Sequence, residues 1–594
     1  MLRSFLEQAK ADLPVYITDV RNAFDEKGDR PFSIHLQLYN SAVRVFPLRL
    51  PRTRDEEDDV FVADYIYAMI YNLISSLGGL QMDLYLDTED EKACALAASL
   101  DRVFGTDAKK LLRSGYGRCL NVNERILRTL TGKEAKFTFH IHDQREEPVV
   151  CDFAASWGTR MDFAAVPDMV KDKMLLGIDV GGTDIKLAAS IRGDLVLCKE
   201  FDWYPAGFTG AGQMIDPIMQ LIRLMRDACS LVSVGKGRLL RTDPAIALSL
   251  AKDATFEEMD RAIRIMEEIL GDREQNFDAV GLSFPDVVIR NLITGGECNK
   301  FKGMRDNPDL DFEEQYAKVT ALGERIKQYI RPDGCVKIIN DGPMAAFTAA
   351  VELAAAGENV SNGFFAHALG TDFGTGWLLP DGTIPDIPLE VYNFIIDLGS
   401  FAQKSFDHDD VRSILNFNTY LPGTLQKYTC QSGVFRLAAK YLPELDPKVY
   451  EEAFSRGIFV REGEGIYVPT SPVDMRKQAL SFFMEKATET DHPACAAIFR
   501  EIGACLAVTW EETDYILQPQ AKDRFLFGRL VKVPACFALM DEGARERVPG
   551  LRLHPADSTL ANTALMKQLD ADEHFTVAQF AQAVGAICFG CTGL

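Results

Sequence analysis

Eleven residues, Leu176-Gly-Ile-Asp-Val-Gly-Gly-Thr-Asp-Ile-Lys186, place a carboxylate, a glycine turn, a hydroxyl and an ammonium within reach of one nucleotide phosphate. Met174 to Val180 reads as a buried strand in which Asp179 is the only charge. Gly181 and Gly182 make the turn and let backbone N–H groups approach an anion without Cβ obstruction. Thr183 adds a hydroxyl and Lys186 a positive charge, at the start of a second apolar strand reading from Ile185 to Ile191. This is not a Walker loop, in which the glycines open a helix and Lys-Ser/Thr follows. An ordinary Gly-Gly hairpin is the competing account.

Two further groupings share this chemistry. Ile338-Ile-Asn-Asp-Gly-Pro-Met-Ala-Ala346 delivers Asn340 and Asp341 to the end of a buried strand, with a helix starting at once. Ligands of α/β sheets bind at such carboxyl ends. Asp341 as an N-cap, with Pro343 in the first turn, explains the same residues. Ala368-Leu-Gly-Thr-Asp-Phe-Gly-Thr-Gly-Trp377 offers phosphate several N–H and O–H donors. A plain glycine-rich hairpin explains it too.

The elements that must position these residues are legible from periodicity. From Lys173 the order is three strands, a helix (about 211–232), a helical insertion (255–270), a strand (277–284), a helix (313–330), a strand (335–340) and a helix (344–355). Three strands followed by alternating helix and strand is a ribonuclease-H-like lobe, an α/β layer architecture. A similar order begins again at Phe364, with a long helix (494–517), a strand (524–527) and two closing helices (560–569, 577–588). Residues 1–170 read as a separate α+β domain with strands at 32–38, 43–50, 81–86 and 136–142 and helices at 60–76 and 91–104. Boundaries near 170 and 356 then give an accessory domain (1–170), a first lobe (171–356) and a second (357–594).

Length and composition bound the answer. A chain of 594 residues is too long for one core. The net charge of −23 argues against nucleic acid as a partner, though not against a nucleotide held by a local site. No uninterrupted 18-residue apolar run stands out, so no membrane span is expected. The N-terminal stretch from Met1 carries charges inside an amphipathic helix, unlike a signal peptide. Thirteen cysteines follow no framework, and Cys588 and Cys591 form the one C-x-x-C. They are read as reduced thiols of a cytoplasmic protein. Asp55-Glu-Glu-Asp-Asp59 reads as a solvated turn before a helix, and His140 and His142 as a polar strand face.

The Asp-x-Gly-Gly-Thr-x-x-Lys pattern of 179–186 resembles the first phosphate loop of the sugar-kinase/actin/heat-shock-ATPase superfamily, and more narrowly that of the ROK family and related glucokinases. The Asn-Asp-x-x-x-Ala-Ala pattern from Asn340 is similar to the catalytic strand end of ROK kinases. That resemblance implies Asp341 as the base toward a sugar hydroxyl and Asn340 as a sugar ligand. Residues 368–377 resemble the family's second phosphate loop, with Asp372 where a glycine is usual. Gly281-Leu-Ser-Phe-Pro285 resembles its Gly-x-x-x-Pro-Gly turn, with Asp286 replacing the last glycine. Asn299 and Glu390 fall where the family binds sugar hydroxyls, although Val391-Tyr392 replaces the usual Gly-His. Arg524–Leu530 looks like the adenosine-side strand and turn, of whose glycines Gly528 survives. Gln426–Gly433 follows where the family's zinc ligands would be, and those cysteines are absent, so no structural zinc is expected.

The resemblance covers about residues 174–594. It implies two ribonuclease-H-like, actin-like ATPase lobes around a cleft, preceded by the extra α+β domain. It implies ATP held by Gly181, Gly182, Thr183, Lys186, Gly370, Thr371, Gly374, Gly376 and Gly528, with Mg²⁺ on Asp179 directly or through water. The implied activity is ATP-dependent phosphorylation of a hydroxyl on a sugar or sugar-like molecule, and a homodimer is compatible with it. A catalytically degenerate ligand sensor is the alternative, favoured by Asp372, Asp286 and the missing Gly-His. An ATPase driving a partner's conformational change is a third class. A DNA-binding repressor is disfavoured, because residues 1–170 show no basic helix-turn-helix.

Overall fold

The computed structural model describes residues 1–106, 115–150, 158–470, 475–556 and 560–594. The protein is a mixed α/β molecule with several sheets. It forms two compact units. Unit 1 comprises residues 1–156, 366–375 and 387–556, and unit 2 residues 157–365, 376–386 and 557–594.

Unit 1 begins with a four-stranded sheet of β1 (Arg30–Gln37), β2 (Val43–Leu50), β3 (Gln81–Leu86) and β4 (Thr138–Asp143), in the order β2-β1-β3-β4. Along β2 the side chains of Arg44, Phe46, Leu48 and Leu50 are buried and alternate with more exposed ones, the period of a half-buried strand. In β4, His142 pairs with Asp83 and His140 with the Thr138 hydroxyl. The acidic run at 55–59 is the cap and first turn of the helix Glu56–Leu77. Asp55 accepts from the Asp58 N–H at 3.0 Å, and negative charge suits a helix N-terminus.

Two helices of unit 1, Glu56–Leu77 and Pro493–Leu517, are long and apolar enough to cross a membrane by composition, with mean hydropathies of 1.4 and 1.2. The sequence reading counted neither. Their apolar windows are 78% and 61% buried within the protein, as those of core helices are. Both also carry buried polar groups. Asn72 Nδ2 donates to the Ile395 carbonyl and to Glu512 Oε1, each at 3.1 Å, and its Oδ1 accepts the Ile395 N–H at 2.8 Å. Glu512 is also ion-paired with buried Arg21. The first 156 residues therefore share one core with residues 387–556.

Unit 2 is built on β5 (Met174–Val180), β6 (Asp184–Ile191), β7 (Asp194–Asp202) and β8 (Phe277–Phe284). A small hairpin, β9 (Val288–Ile289) with β10 (Leu292–Ile293), precedes β11 (Ile330–Asn340). The five long strands lie in the order β11-β8-β5-β6-β7. β5–β6 and β6–β7 are antiparallel, while β5–β8 and β8–β11 are parallel. The helices Ala211–Ser233 and Phe256–Leu270 share the core of this sheet. The helix Val577–Cys591 lies so close to it that a Cβ at Gly177 or Gly281 would overlap the carbonyls of Ala583 or Ala586. Cys588 and Cys591 are buried free thiols of that helix.

The helix expected over 313–330 is instead two short ones, Phe312–Thr320 and Leu322–Ile326, and β11 already starts at Ile330. Ala321 separates them, and Gly323, just inside the second helix, packs close to β11: a Cβ there would lie 3.2 Å from Ile338. A second four-stranded sheet joins β12 (Phe364–Leu369) and β13 (Phe373–Leu378) to later strands. After the hairpin of β14 (Val460–Glu462) and β15 (Gly465–Tyr467) come β16 (Arg524–Phe527) and β17 (Leu553–Pro555). Their order is β13-β12-β16-β17, with β12, β16 and β17 parallel.

Candidate active site

Strand register gathers the candidates of unit 2. Asp179 on β5 pairs in register with Ser283 on β8, which pairs with Ile339 on β11. Asn340 and Asp341 are the next two residues, so both carboxylates leave the sheet at the carboxyl ends of parallel strands. Asp179 is half-buried. Burial pushes its carboxyl up to about 6, against the opposing pull of Lys186 and a hydrogen bond from Ser283, while the charge of Asp341 pushes it further up. Asp179 thus feels the charge of Asp341.

Between β5 and β6 the turn has two unlike glycines. The Gly181 N–H donates to the Asp184 carbonyl at 2.8 Å, and a Cβ at Gly181 would also meet that oxygen at 2.8 Å. A Cβ at Gly182 would first meet Lys300 Cε, at an ordinary 3.5 Å. The fold thus requires Gly181 to be bare and leaves Gly182 open. Lys186 Nζ is bonded to Asp184. Lys300, which the sequence reading passed over, stands beside the turn. Its only advance signal was its place in the segment Gly295–Lys300. Trp203 secures the loop from below, donating from Nε1 to the Gly181 carbonyl at 3.0 Å and from its backbone N–H to Thr183 at 3.1 Å.

The cap of the following helix is Asn340, not Asp341. Asn340 Oδ1 accepts the Gly342 N–H at 3.0 Å, and its Nδ2 donates to the Asp286 carbonyl at 2.8 Å. Asp341 is the first helical residue, partly exposed, its Oδ1 accepting the same N–H at 2.9 Å. The two side chains share that N–H, so Asp341 is not the sole cap of the helix. Asp286, read as a departure from pattern, is buried. It accepts from Tyr316 Oη and the Gly296 N–H, each at 2.7 Å, and anchors the loop leading to Asn299. Asn299 itself is exposed, opening the turn Asn299–Phe301.

The candidates of unit 1 form their own group. Gly370 donates to the Asp372 carbonyl at 3.1 Å to close the loop. The Asp372 carboxylate is held by Gln426 Nε2, at 3.2 and 3.1 Å to its two oxygens, and by the Phe373 N–H at 2.9 Å. Gln426, another residue missed from sequence, therefore gives Asp372 a protein partner. Cβ atoms at Gly370 and Gly374 would meet nothing closer than 4.0 and 3.4 Å. Gly528 is different: its φ is +98° and a Cβ would overlap the Leu369 carbonyl, so packing against β12 explains it. Gly376, just past this segment, packs in unit 2 against the Gly342 carbonyl.

Glu390 is seated by the N-terminal part of the chain. The Leu389 and Glu390 N–H groups donate to the Ser76 and Ser75 carbonyls at 3.0 and 3.1 Å. Its carboxylate lies near Tyr39, Tyr71 and Tyr392, whose hydroxyls are all pushed up, chiefly by burial and further by that charge.

No family model matches the chain, and no curated protein matches it. Solved structures do. A ROK family glucokinase from Streptomyces griseus, in complex with glucose and AMPPNP, is 14% identical with a TM-score of 0.38, over 71% of this chain and 100% of that one. A ROK hexokinase from Thermus thermophilus is 14% identical with a TM-score of 0.35, over 71% and 99%. A ROK family protein from Streptococcus pneumoniae TIGR4, in complex with sucrose, is 12% identical with a TM-score of 0.35, over 71% and 98%. At such scores the weight of any functional reading rests on the residues above. Many of the solved structures similar to this chain are ROK family glucokinases and sugar kinases.

Proposed function

We propose that the protein is an ATP-dependent kinase that phosphorylates a hydroxyl of a sugar or sugar-like small molecule. One observation carries this: Asp179, the open turn at Gly182 and Asp341 leave the same end of one sheet in unit 2. Its strand order, three antiparallel strands and then two parallel ones on the other side, supports a ribonuclease-H-like lobe. The parallel β12, β16 and β17 support a second lobe of that kind in residues 357–594.

Asp341 is the proposed base, accepting the proton of the attacking hydroxyl. Asn299, Glu390 and Asn340 are the proposed sugar ligands, Asn340 through the second lone pair of its Oδ1. Gly181, Gly182, Thr183 and Lys186 would meet phosphate from one loop, and Gly370, Thr371, Gly374 and Gly376 from the other, with Gly528 shaping the latter. A carboxyl that feels a neighbouring carboxylate, as Asp179 feels Asp341, suits a divalent cation, and Mg²⁺ on Asp179, directly or through water, would neutralise phosphate charge. Residues 1–170 are proposed to contribute no phosphate ligand and to shape the substrate side through Ser75, Ser76 and Glu390. A cytoplasmic location fits the free thiols.

The test is ATP consumption measured against a panel of sugars, sugar amines and nucleosides. Turnover dependent on one sugar supports the reading. The second reading, a ligand sensor, is favoured by the carboxylate of Asp372 within loop 2, and it predicts saturable sugar binding with no ATP consumption.

A further inference from the structure

Unit 2 holds a pocket that the proposed chemistry does not use. It encloses about 750 Å³ at the carboxyl end of β7, where Trp203, Tyr204, Phe208 and Phe256 supply aromatic walls and Asp202 and Asp216 supply carboxylates. That volume suits a small organic ligand. Neither lysine nor arginine is among its lining residues. Tyr204 and Phe256 are 68% and 45% exposed, an unusual state for two large rings lining one site. Asp202 pairs with Lys252 at 3.2 Å and Asp216 with Arg325 at 3.5 Å, both at the solvent edge. Exposed pairs of this kind are weak and leave the carboxylates free to take another cation.

The walls of this pocket also support the candidate active site. Trp203 makes both hydrogen bonds that hold the carbonyls of Gly181 and Thr183. The Ala206–Phe208 stretch packs on Gly303, where a Cβ would overlap the Phe208 carbonyl, directly after the turn carrying Asn299 and Lys300. A ligand that favours one position of Trp203–Phe208 therefore acts on both.

We propose that this pocket binds a planar aromatic cation and that binding is coupled, through Trp203, to nucleotide affinity at the Gly181–Thr183 loop. Ring faces attract cations, and the two carboxylates set the sign of the charge. The coupling half rests on the kinase reading, whereas the binding half does not.

Proflavine, a planar fluorescent cation, serves as the probe, with the anion 1-anilinonaphthalene-8-sulfonate as its charge control. Proflavine should bind saturably to the full chain. Binding should weaken by about tenfold in Tyr204→Ala/Phe256→Ala and in Asp216→Lys, exposed positions whose replacement spares the core. Equal binding of the anion, or binding unchanged in these variants, overturns the site. Saturating proflavine should change nucleotide affinity by about fivefold or more, reciprocally. Trp203→Phe, which keeps an aromatic ring and the backbone N–H to Thr183 but removes Nε1–H, should keep proflavine binding and weaken that change at least severalfold. Nucleotide affinity that ignores bound proflavine overturns the coupling. A protein that binds proflavine but no nucleotide overturns the kinase reading and leaves the site standing.

Discussion

The two glycine loops look alike in sequence and differ in what holds them. Loop 1 is braced by Trp203 and by the Asp184–Lys186 pair, and its open position, Gly182, faces a lysine. Loop 2 carries an acid where phosphate is expected, and Gln426 fastens that acid to the protein. Loop 1 is thus a turn with cations at hand, and loop 2 one whose charge is managed by a neighbour. A glycine count cannot tell them apart. The position at which a Cβ would collide can.

Four measurements would break or sharpen this contrast. The largest effect is expected next to loop 1. Asp341→Asn should lower turnover by roughly two orders of magnitude or more with nucleotide affinity little changed, because the base is lost and the cap, Asn340, remains. Turnover near wild type would remove chemistry from this side.

Next come the glycines themselves. Gly182→Val should abolish nucleotide binding by calorimetry while the far-UV spectrum stays native, since the fold leaves room there. Gly528→Ala should do the opposite, costing about 2 kcal/mol or more of stability, because its φ and the Leu369 carbonyl both exclude a Cβ. If both variants merely unfold, the distinction between open and packed glycines fails.

The third concerns the ground beneath loop 2. Lys427, next to Gln426, is buried and its ammonium is pushed down to about 7 by that burial. An unfolded lysine titrates near 10.4, so between those values the unfolded chain binds one more proton and stability rises with pH. The rise should approach about 1.4 kcal/mol per pH unit and should vanish in Lys427→Met, read as the difference between the two denaturant midpoints from pH 7 to 9. Parallel profiles would show that Lys427 is already solvated.

The smallest effect is at Asp372. Asp372→Asn keeps an acceptor for Gln426 and removes the charge, and should tighten nucleotide binding about two- to fivefold. No change would mean that Gln426 already turns the carboxylate fully away.

What the sequence showed and hid follows from distance along the chain. β2, β3 and β16 are legible to the residue, because alternation over a few residues is a local signal. Asp179, Gly182 and Asp341 were legible as types at strand ends. The break at Ala321 was not, since the apolar spacing of Phe312, Tyr316, Val319, Leu322 and Ile326 runs on through it. Gln426 and Lys300 were illegible as partners of Asp372 and Gly182, because nothing near 372 or 182 names them. Asp286 looked like a lost glycine until its donors, Tyr316 and the Gly296 and Val287 N–H groups, were seen. The sharing of one core by residues 1–156 and 387–556 was hidden most deeply, for it rests on single side chains such as Asn72.

That asparagine has a consequence in time. Its two bonds to Ile395 join residues 323 positions apart. At synthesis rates of about 5–20 residues per second, Asn72 waits roughly 15 to 65 s for its partner to be made. Throughout that interval Phe5, Phe24 and Tyr116 are already at hand to cover other parts of the helix, while the face at Asn72 waits. The birth of this protein on the ribosome therefore includes a long phase in which a polar side chain destined for burial stays unpaired by its final partner.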